Sequence, residues 1–127
     1  KDFVSVEDET FMNNQTKSFN NPLYDWYKPN MTIDSSNMYE LVPVDSFVVI
    51  DTSAMPEWHS TNVRHQLYMN VDGTMIIRNI IYNGTQCRLE NELQYFNNLY
   101  ELVHNYNDTY QKLSIYDNHL LKSIPLN

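Results

Sequence analysis

Apolar and polar residues alternate most regularly between residues 67 and 82. Two runs rich in β-branched and aromatic residues, 67–71 and 74–82, flank the dipeptide Asp72-Gly73. Asp-Gly supplies the two positive-φ residues of a type I′ turn, whose twist matches that of the flanking strands. The pattern therefore predicts a β-hairpin over residues 67–82, with Val71 opposite Thr74.

The predicted hairpin has two unequal faces because side chains alternate along a strand. One face carries the apolar residues Leu67, Met69, Val71, Ile76 and Ile80 and is expected to face the core. The opposite face mixes apolar and amide residues, namely Tyr68, Asn70, Met75, Ile77, Asn79 and Ile81. We expect this second face to be only half covered.

Three other segments have the composition of strands. Residues 38–42 and 45–51 are rich in β-branched and aromatic residues. Pro43 lies between them, and because proline cannot donate a backbone hydrogen bond, it indicates either an edge strand or a bend between two strands. Asn83-Gly84 offers a second tight turn, after which residues 85–87 are expected to return as a short third strand.

The C-terminal third has helical spacing. The apolar residues Leu89, Leu93, Phe96, Tyr100, Val103 and Tyr106 recur three and four positions apart. Asp108, with Gln111 three residues on, matches a capping box and predicts a second helix that ends at Pro125. The expected fold class is α+β, an antiparallel sheet built around the hairpin at 67–82 and packed by two C-terminal helices.

The chain divides by composition. Residues 1–35 form an irregular, aromatic-rich N-terminal segment, broken by prolines and asparagines, and residues 36–127 are expected to form a single α+β domain. With 127 residues, a mass of 15.1 kDa and 42% hydrophobic residues, the chain is long enough to bury a core.

Charge and composition exclude several functions. A net charge of −8 disfavours sequence-independent binding to nucleic acid. Two glycines leave little scope for a phosphate-cradling loop, and no apolar run reaches the roughly 18 residues of a membrane span. Seventeen asparagines beside one alanine and three arginines indicate an AT-rich genome, such as that of a virus, a protist or a low-GC bacterium. Among these, a virus or a parasite is the expected source.

Four Asn-x-Thr sequons favour an extracellular protein. They begin at Asn14, Asn30, Asn83 and Asn107, each in a segment expected to be a loop or turn. The single cysteine, Cys87, has no partner for an internal disulfide, so a thiol outside the cell is expected to pair with another chain. The alternative is a cytoplasmic protein with chance sequons and a free thiol.

Aromatic residues concentrate in segments expected to be irregular. Tyr24, Trp26, Tyr27 and Trp58 lie in two predicted loops, and aromatics are enriched at protein interfaces. We expect these four residues to bind a protein partner, from a host or from the same virus. The segment 19–24, Phe-Asn-Asn-Pro-Leu-Tyr, resembles the Phe-x-Asn-Pro-x-Tyr endocytic signal of lipoprotein-receptor tails, which implies a cytoplasmic turn that presents Tyr24.

No residue pattern indicates catalysis. The histidines have no metal-ligand spacing, and nothing beside Cys87 marks a nucleophile elbow or an oxyanion hole. We therefore expect a non-catalytic protein-binding domain with no metal or cofactor, in a secreted or virion-surface glycoprotein. Two alternatives stay open: a small cytosolic enzyme that uses Cys87 or a histidine, and an acidic intracellular inhibitor of a basic partner.

Overall fold

The computed structural model of the chain describes residues 25–54, 63–107, 111–114 and 118–122. The elements are strands β1 (Tyr27–Lys28), β2 (Phe47–Asp51), β3 (His65–Val71), β4 (Thr74–Asn83), β5 (Gln86–Leu89), β6 (Gln111–Leu113) and β7 (Leu120–Lys122), and helices α1 (Met38–Leu41) and α2 (Leu99–His104). A 3-10 turn, Thr52–Ala54, follows β2.

Five strands form one mixed sheet in the order β1-β2-β3-β4-β5. Strands β2 to β5 are antiparallel neighbours, and β1 pairs in parallel with β2. The segment 118–120 occupies the other half of the same β2 edge, where Phe47 donates to the carbonyl of Asn118 at 3.1 Å. Strands β6 and β7 pair with each other as a separate two-stranded sheet.

The predicted hairpin is confirmed in position and register. Val71 pairs with Thr74 and Met69 with Ile76 across the turn. Asp72 and Gly73 have φ values of 52° and 93°, as a type I′ turn requires. The short third strand is also confirmed, since β5 follows the Asn83-Gly84 turn.

Helix α2 packs on one face of the sheet, here called the helix side. Its buried residues, Leu99, Leu102 and Val103, join apolar side chains from six strands in one cluster. The strand members of this cluster are Phe47, Val49, Leu67, Met69, Ile80, Cys87, Leu89, Leu113 and Leu120. Burial of these side chains provides the main apolar stabilisation of the fold.

The opposite face, here called the far side, is covered by the described residues mainly over β2 and β3. Val48, Ile50 and Tyr68 are buried there beneath Ile33 and Val42 from the segment that contains α1. Asn70 fixes this cover by donating to the carbonyl of Val42 at 2.9 Å. The expectation of a half-covered face therefore holds: Tyr68 and Asn70 are buried, whereas Ile77 is 45% exposed.

The predicted pair of C-terminal helices is not found. Of the first predicted helix, only the six residues of α2 are helical, since Leu89 belongs to β5 and Phe96 forms an antiparallel β-bridge with Cys87. Asn91 has a φ of 74°, a left-handed conformation that an α-helix does not admit. In the second, residues 111–113 and 120–122 are the strands β6 and β7 instead.

The strand expected at residues 38–42 is also wrong. Met38–Leu41 is a helical turn, introduced by Asp34, whose carboxylate accepts from the backbone N–H groups of Ser36 and Asn37. Such side-chain acceptors favour a turn over an extended chain. The boundary expected at residue 35 stays a prediction for residues 1–24, which are outside the described residues, but Trp26 and Ile33 already belong to the packed unit.

Candidate binding surface and buried polar cluster

Trp26 is buried, contrary to its assignment as a partner-binding residue. Its ring lies stacked near Phe47, with centroids 6.5 Å apart, and its backbone carbonyl accepts from Val49 at 2.7 Å. A short parallel pairing with β2 thus brings this aromatic loop inward. Trp26 fills the core of its own domain and is not available to a partner in this fold.

Tyr27 is half-buried and belongs to a polar cluster on the helix side. Its hydroxyl lies 3.3 Å from Nε2 of His65, and the hydroxyl of Tyr82 lies 2.7 Å from Nδ1 of the same ring. His65 itself is fully buried. Because a neutral imidazole has one donor and one acceptor nitrogen, one tyrosine donates to the ring and the other accepts from it.

Asp51 provides the charged end of this cluster. Its Oδ1 atom accepts from Nε of Arg64 at 3.0 Å, and also from the backbone N–H and the hydroxyl of Ser53. Its Oδ2 atom lies 4.0 Å from Nε2 of His65. These contacts place the carboxylate between a cation and a buried imidazole at the end of β2.

Burial sets the protonation states of the cluster. It lowers the pKa of His65 to about 4, against a smaller opposing effect of Asp51. It also raises the pKa of Tyr27 and that of Tyr82, so both phenols stay protonated. Although burial alone would raise the pKa of Asp51, hydrogen bonds from Ser53 together with the nearby His65 and Arg64 lower it. At neutral pH the cluster contains a carboxylate, a guanidinium and uncharged His65, Tyr27 and Tyr82.

The cluster joins three strands rather than presenting a reactive group. Tyr27 on β1, His65 on β3 and Tyr82 on β4 hydrogen-bond in sequence, so the short strand β1 is held to the sheet by side chains as well as by backbone. The nearby hydroxyl of Thr52 is also engaged, with the carbonyl of Val63 at 2.6 Å. Sequence reasoning missed His65, although its even spacing from Leu67 and Met69 places it on the inward face.

Cys87 is fully buried on the helix side. Burial, aided by the negative charge of Glu101, raises the pKa of its thiol to about 12. A disulfide to another chain, as expected from the sequence, therefore requires local opening of β5. The same burial makes the thiolate scarce at neutral pH, which is unfavourable for nucleophilic catalysis.

Within residues 25–54, 63–107, 111–114 and 118–122, no group of three or more histidine, cysteine or acidic side chains is placed to bind a metal ion. No helix among the described residues is long and apolar enough to cross a membrane.

A small cleft lies between β4, β5 and the region of α2. Its volume is about 110 Å³, and it is lined by Arg78, Leu89, Glu92, Gln94, Phe96, Leu102, Asn105, Tyr106 and Asn107. Pockets for small-molecule ligands typically measure about 300–1,000 Å³. The volume fits a single protein side chain better than a substrate.

On the far side, β4 and β5 present exposed and half-buried residues, part of them apolar, within the part of the chain that the structure describes. We call the residues Ile77, Ile81, Arg88 and Tyr95 the far-side patch. Ile77 is 45% exposed and Tyr95 38% exposed, while Ile81 and Arg88 are half-buried. Ile81 and Arg88 are directly paired across the two strands, so the apolar and cationic side chains are neighbours.

Arg88 orders the border of this patch. Its guanidinium lies over the Tyr95 ring, 5.7 Å from the centroid, and donates to the carbonyl of Glu92 at 3.1 Å. Hydrogen bonds from Asn83 and Arg88 lower the pKa of the Tyr95 phenol. The loop after β5 is thereby held against the strand, and the patch has a defined shape.

A row of amide groups runs beside the isoleucines. The Glu90 carboxylate accepts from Nδ2 of Asn79 at 3.4 Å, and Oδ1 of Asn79 accepts from Nε2 of Gln66 at 2.9 Å. Because a carboxylate only accepts, this chain fixes the orientation of both amides. Oε1 of Gln66 is left buried with no hydrogen-bond partner among the described residues.

The remaining predicted site residues divide by position. Tyr24, Trp58 and Asn14 are outside the described residues, as is the endocytic-like segment 19–24. Asn30, Asn83 and Asn107 are exposed in the structure. Trp26 and Tyr27 lie close together, but the structure places both against the sheet.

No protein-family model matches the chain, and no curated protein sequence is significantly similar to it.

Proposed function

We propose that this chain is a non-catalytic protein-binding domain that engages its partner through the far-side patch. The proposal replaces Trp26 as an anchor, since that residue is buried. The supporting observation is the exposed Ile77 at the centre of a sheet face whose other half is covered. An exposed apolar group beside an ordered arginine and tyrosine is typical of an interaction surface.

The chemistry of the patch indicates what the partner presents. Two isoleucines favour an apolar strand or helix face, because burial of apolar area is the main attractive contribution at such contacts. The exposed carboxylate of Glu90, which lies on the far side next to Asn79, together with the net charge of −8, favours a partner that is neutral or basic around that apolar contact.

Two observations favour binding over the enzyme alternative. Cys87 is buried with a raised pKa, and His65 has both ring nitrogens beside tyrosine hydroxyls. A general base needs an accessible nitrogen or oxygen beside the substrate. The cleft of about 110 Å³ is also small for a substrate pocket.

We further propose that the domain belongs to a secreted or virion-surface glycoprotein from an AT-rich virus or parasite. Asn30, Asn83 and Asn107 are exposed, as a glycan requires. Mass spectrometry of protein from its native source tests this part. A glycan on at least one of the four sequons is the expected result, and four unmodified asparagines contradict it.

The docking proposal is tested by comparing two charge substitutions. Ile77→Glu places a carboxylate in the far-side patch, whereas Val44→Glu places one on an exposed apolar residue in the turn before β2. Tagged wild-type and variant chains are recovered from the native source after cross-linking, and co-purified proteins are quantified.

We expect the recovered amount of at least one protein that co-purifies with wild type to fall about tenfold or more with Ile77→Glu and to be unchanged with Val44→Glu. Circular dichroism and the Tm confirm that both variants are folded. Partners that bind both variants equally, or no partner that depends on Ile77, contradict the proposal. A partner that binds both variants at low salt and neither of them at high salt supports the acidic-inhibitor alternative instead.

A further inference from the structure

The turn that joins β4 to β5 presents one of the four sequons. Asn83 pairs with Gln86, which leaves Gly84 and Thr85 as a two-residue loop. Gly84 has a φ of 63° at the first of these positions, the arrangement typical of a type II′ turn. Asn83 and Thr85, the acceptor and the hydroxyl residue of the sequon, are both exposed.

The side chain of Asn83 points to the far side. It follows Ile77 and Ile81 in the alternation along β4, and its Nδ2 atom lies 3.4 Å from the hydroxyl of Tyr95. Nδ2 is the atom to which an N-linked sugar is attached. A sugar on this atom therefore begins beside the Tyr95 ring, which is 38% exposed.

We propose that Asn83 carries an N-linked glycan and that its first sugar packs against the Tyr95 ring. Tyr95 is already ordered by Arg88, whose guanidinium lies 5.7 Å from the ring centroid. The electron-rich face of an aromatic ring attracts the weakly positive C–H groups of a sugar. The structure thus provides a preformed aromatic platform next to the acceptor nitrogen.

The other two described sequons provide the contrast. Asn30 lies in the turn after β1, where the backbone of Met31 donates to Lys28, and Asn107 bridges to Lys112. The assignment of the sugar platform to Asn83 depends on the contact of 3.4 Å between its Nδ2 atom and the hydroxyl of Tyr95.

This inference rests on the glycoprotein part of the proposed function, and its test does not require the partner. The full chain is secreted from a eukaryotic host behind a cleavable signal sequence, and occupancy of each sequon is measured by peptide mass spectrometry. An endoglycosidase then trims every glycan to its first sugar, and the Tm is measured for wild type, Thr85→Ala and Tyr95→Leu.

We expect Asn83 to be occupied and the single sugar to raise the Tm by about 2–4 °C relative to Thr85→Ala. To isolate the sugar effect, the trimmed and fully deglycosylated forms of each variant are compared. We expect the gain to disappear in Tyr95→Leu. Thr109→Ala, which removes the sequon at Asn107, serves as the matched control and should keep the gain.

Three results overturn the inference: an unoccupied Asn83, no Tm gain from its sugar, or a gain that Tyr95→Leu preserves. These results concern the Tyr95 border of the far-side patch, where a sugar would limit the area open to a partner. Docking at the isoleucines of the patch is tested separately by the Ile77→Glu comparison. Conversely, a glycan on Asn83 in this host leaves the native location to be tested on native material.

Discussion

Among the described residues, strands β2 and β3 are covered on both faces, whereas β4 and β5 are covered mainly on the helix side. The difference is visible at one cross-strand pair: Tyr68 on β3 is buried, and its partner Ile77 on β4 is 45% exposed. The cover over the far side comes from the segment around Ile33 and Val42, and Met75 on β4 packs against the edge of this cluster.

We therefore expect the far side of β2 and β3 to contribute mainly to stability and the far side of β4 and β5 to be the half that can contact a partner. Substitutions on the doubly covered half leave a cavity or an unpaired polar group, whereas the open half of β4 and β5 exposes apolar area to water. We expect substitutions on the doubly covered half to lower the free energy of unfolding by a large amount and substitutions on the open half to lower it by a small amount. The far-side patch lies on the open half.

The largest expected effect is at the start of the covered half. Trp26→Ala removes a buried ring stacked on Phe47, and we expect it to lower the free energy of unfolding by about 3–5 kcal/mol. Urea unfolding followed by circular dichroism measures the change. Tyr39→Ala, an exposed aromatic on α1, is the control and should cost less than about 1 kcal/mol. Equal losses would show that Trp26 does not fill the core.

The second prediction tests the alternation along β5. Cys87 faces the buried helix side, whereas the neighbouring Gln86 is exposed. A thiol reagent at pH 8 should label wild-type Cys87 about 100-fold more slowly than the cysteine in a Gln86→Cys, Cys87→Ala double variant, because labelling of Cys87 requires local opening. Similar rates would contradict the burial of this strand.

The third prediction concerns acid. His65 has a pKa of about 4 when folded and about 6.5 when unfolded, so the unfolded chain binds a proton first as pH falls. Stability from His65 is thus complete above about pH 6.5 and is lost progressively down to pH 4, by about 2 kcal/mol at pH 5. Between pH 7 and pH 5, the Tm of His65→Gln should decline less than the Tm of the wild-type chain. Parallel pH profiles would show that His65 titrates normally.

The smallest expected effect lies in the patch. Ile77→Ala should lower the free energy of unfolding by no more than about 1 kcal/mol, while Leu67→Ala on the doubly covered β3 should cost about 2–5 kcal/mol. Urea unfolding measures both variants. A cost for Ile77 as large as that for Leu67 would mean that the far side of β4 is covered.

Local rules explain why the hairpin could be predicted and the C-terminal region could not. Asp72-Gly73 fixes a turn within four residues, and the turn then fixes the register. The apolar spacing of Leu89, Phe96 and Tyr100 matches a helix, but Leu89 is in a strand and Phe96 pairs with Cys87. That pairing joins residues nine positions apart, and the helical period of 3.6 residues gives no indication of it.

The sites show the same limit. The prolines and asparagines around Trp26 predict a surface loop, but the pairing of the following strand β1 with β2 and the stack of Trp26 on Phe47 are tertiary contacts. Asp51 meets the consecutive residues Arg64 and His65 from a separate segment of the chain, and no local spacing predicts this contact. The half-covered far side could be anticipated, since alternation alone mixed Ile77 and Ile81 with amides.

The central claim is that the far-side patch binds a protein, and the most direct measurement is site-specific photo-cross-linking in the native setting. A photoreactive amino acid at position 77 should give a discrete cross-linked protein adduct, and the same group at position 44 should give none of that adduct. No adduct at position 77, or the same adduct from both positions, would contradict the account.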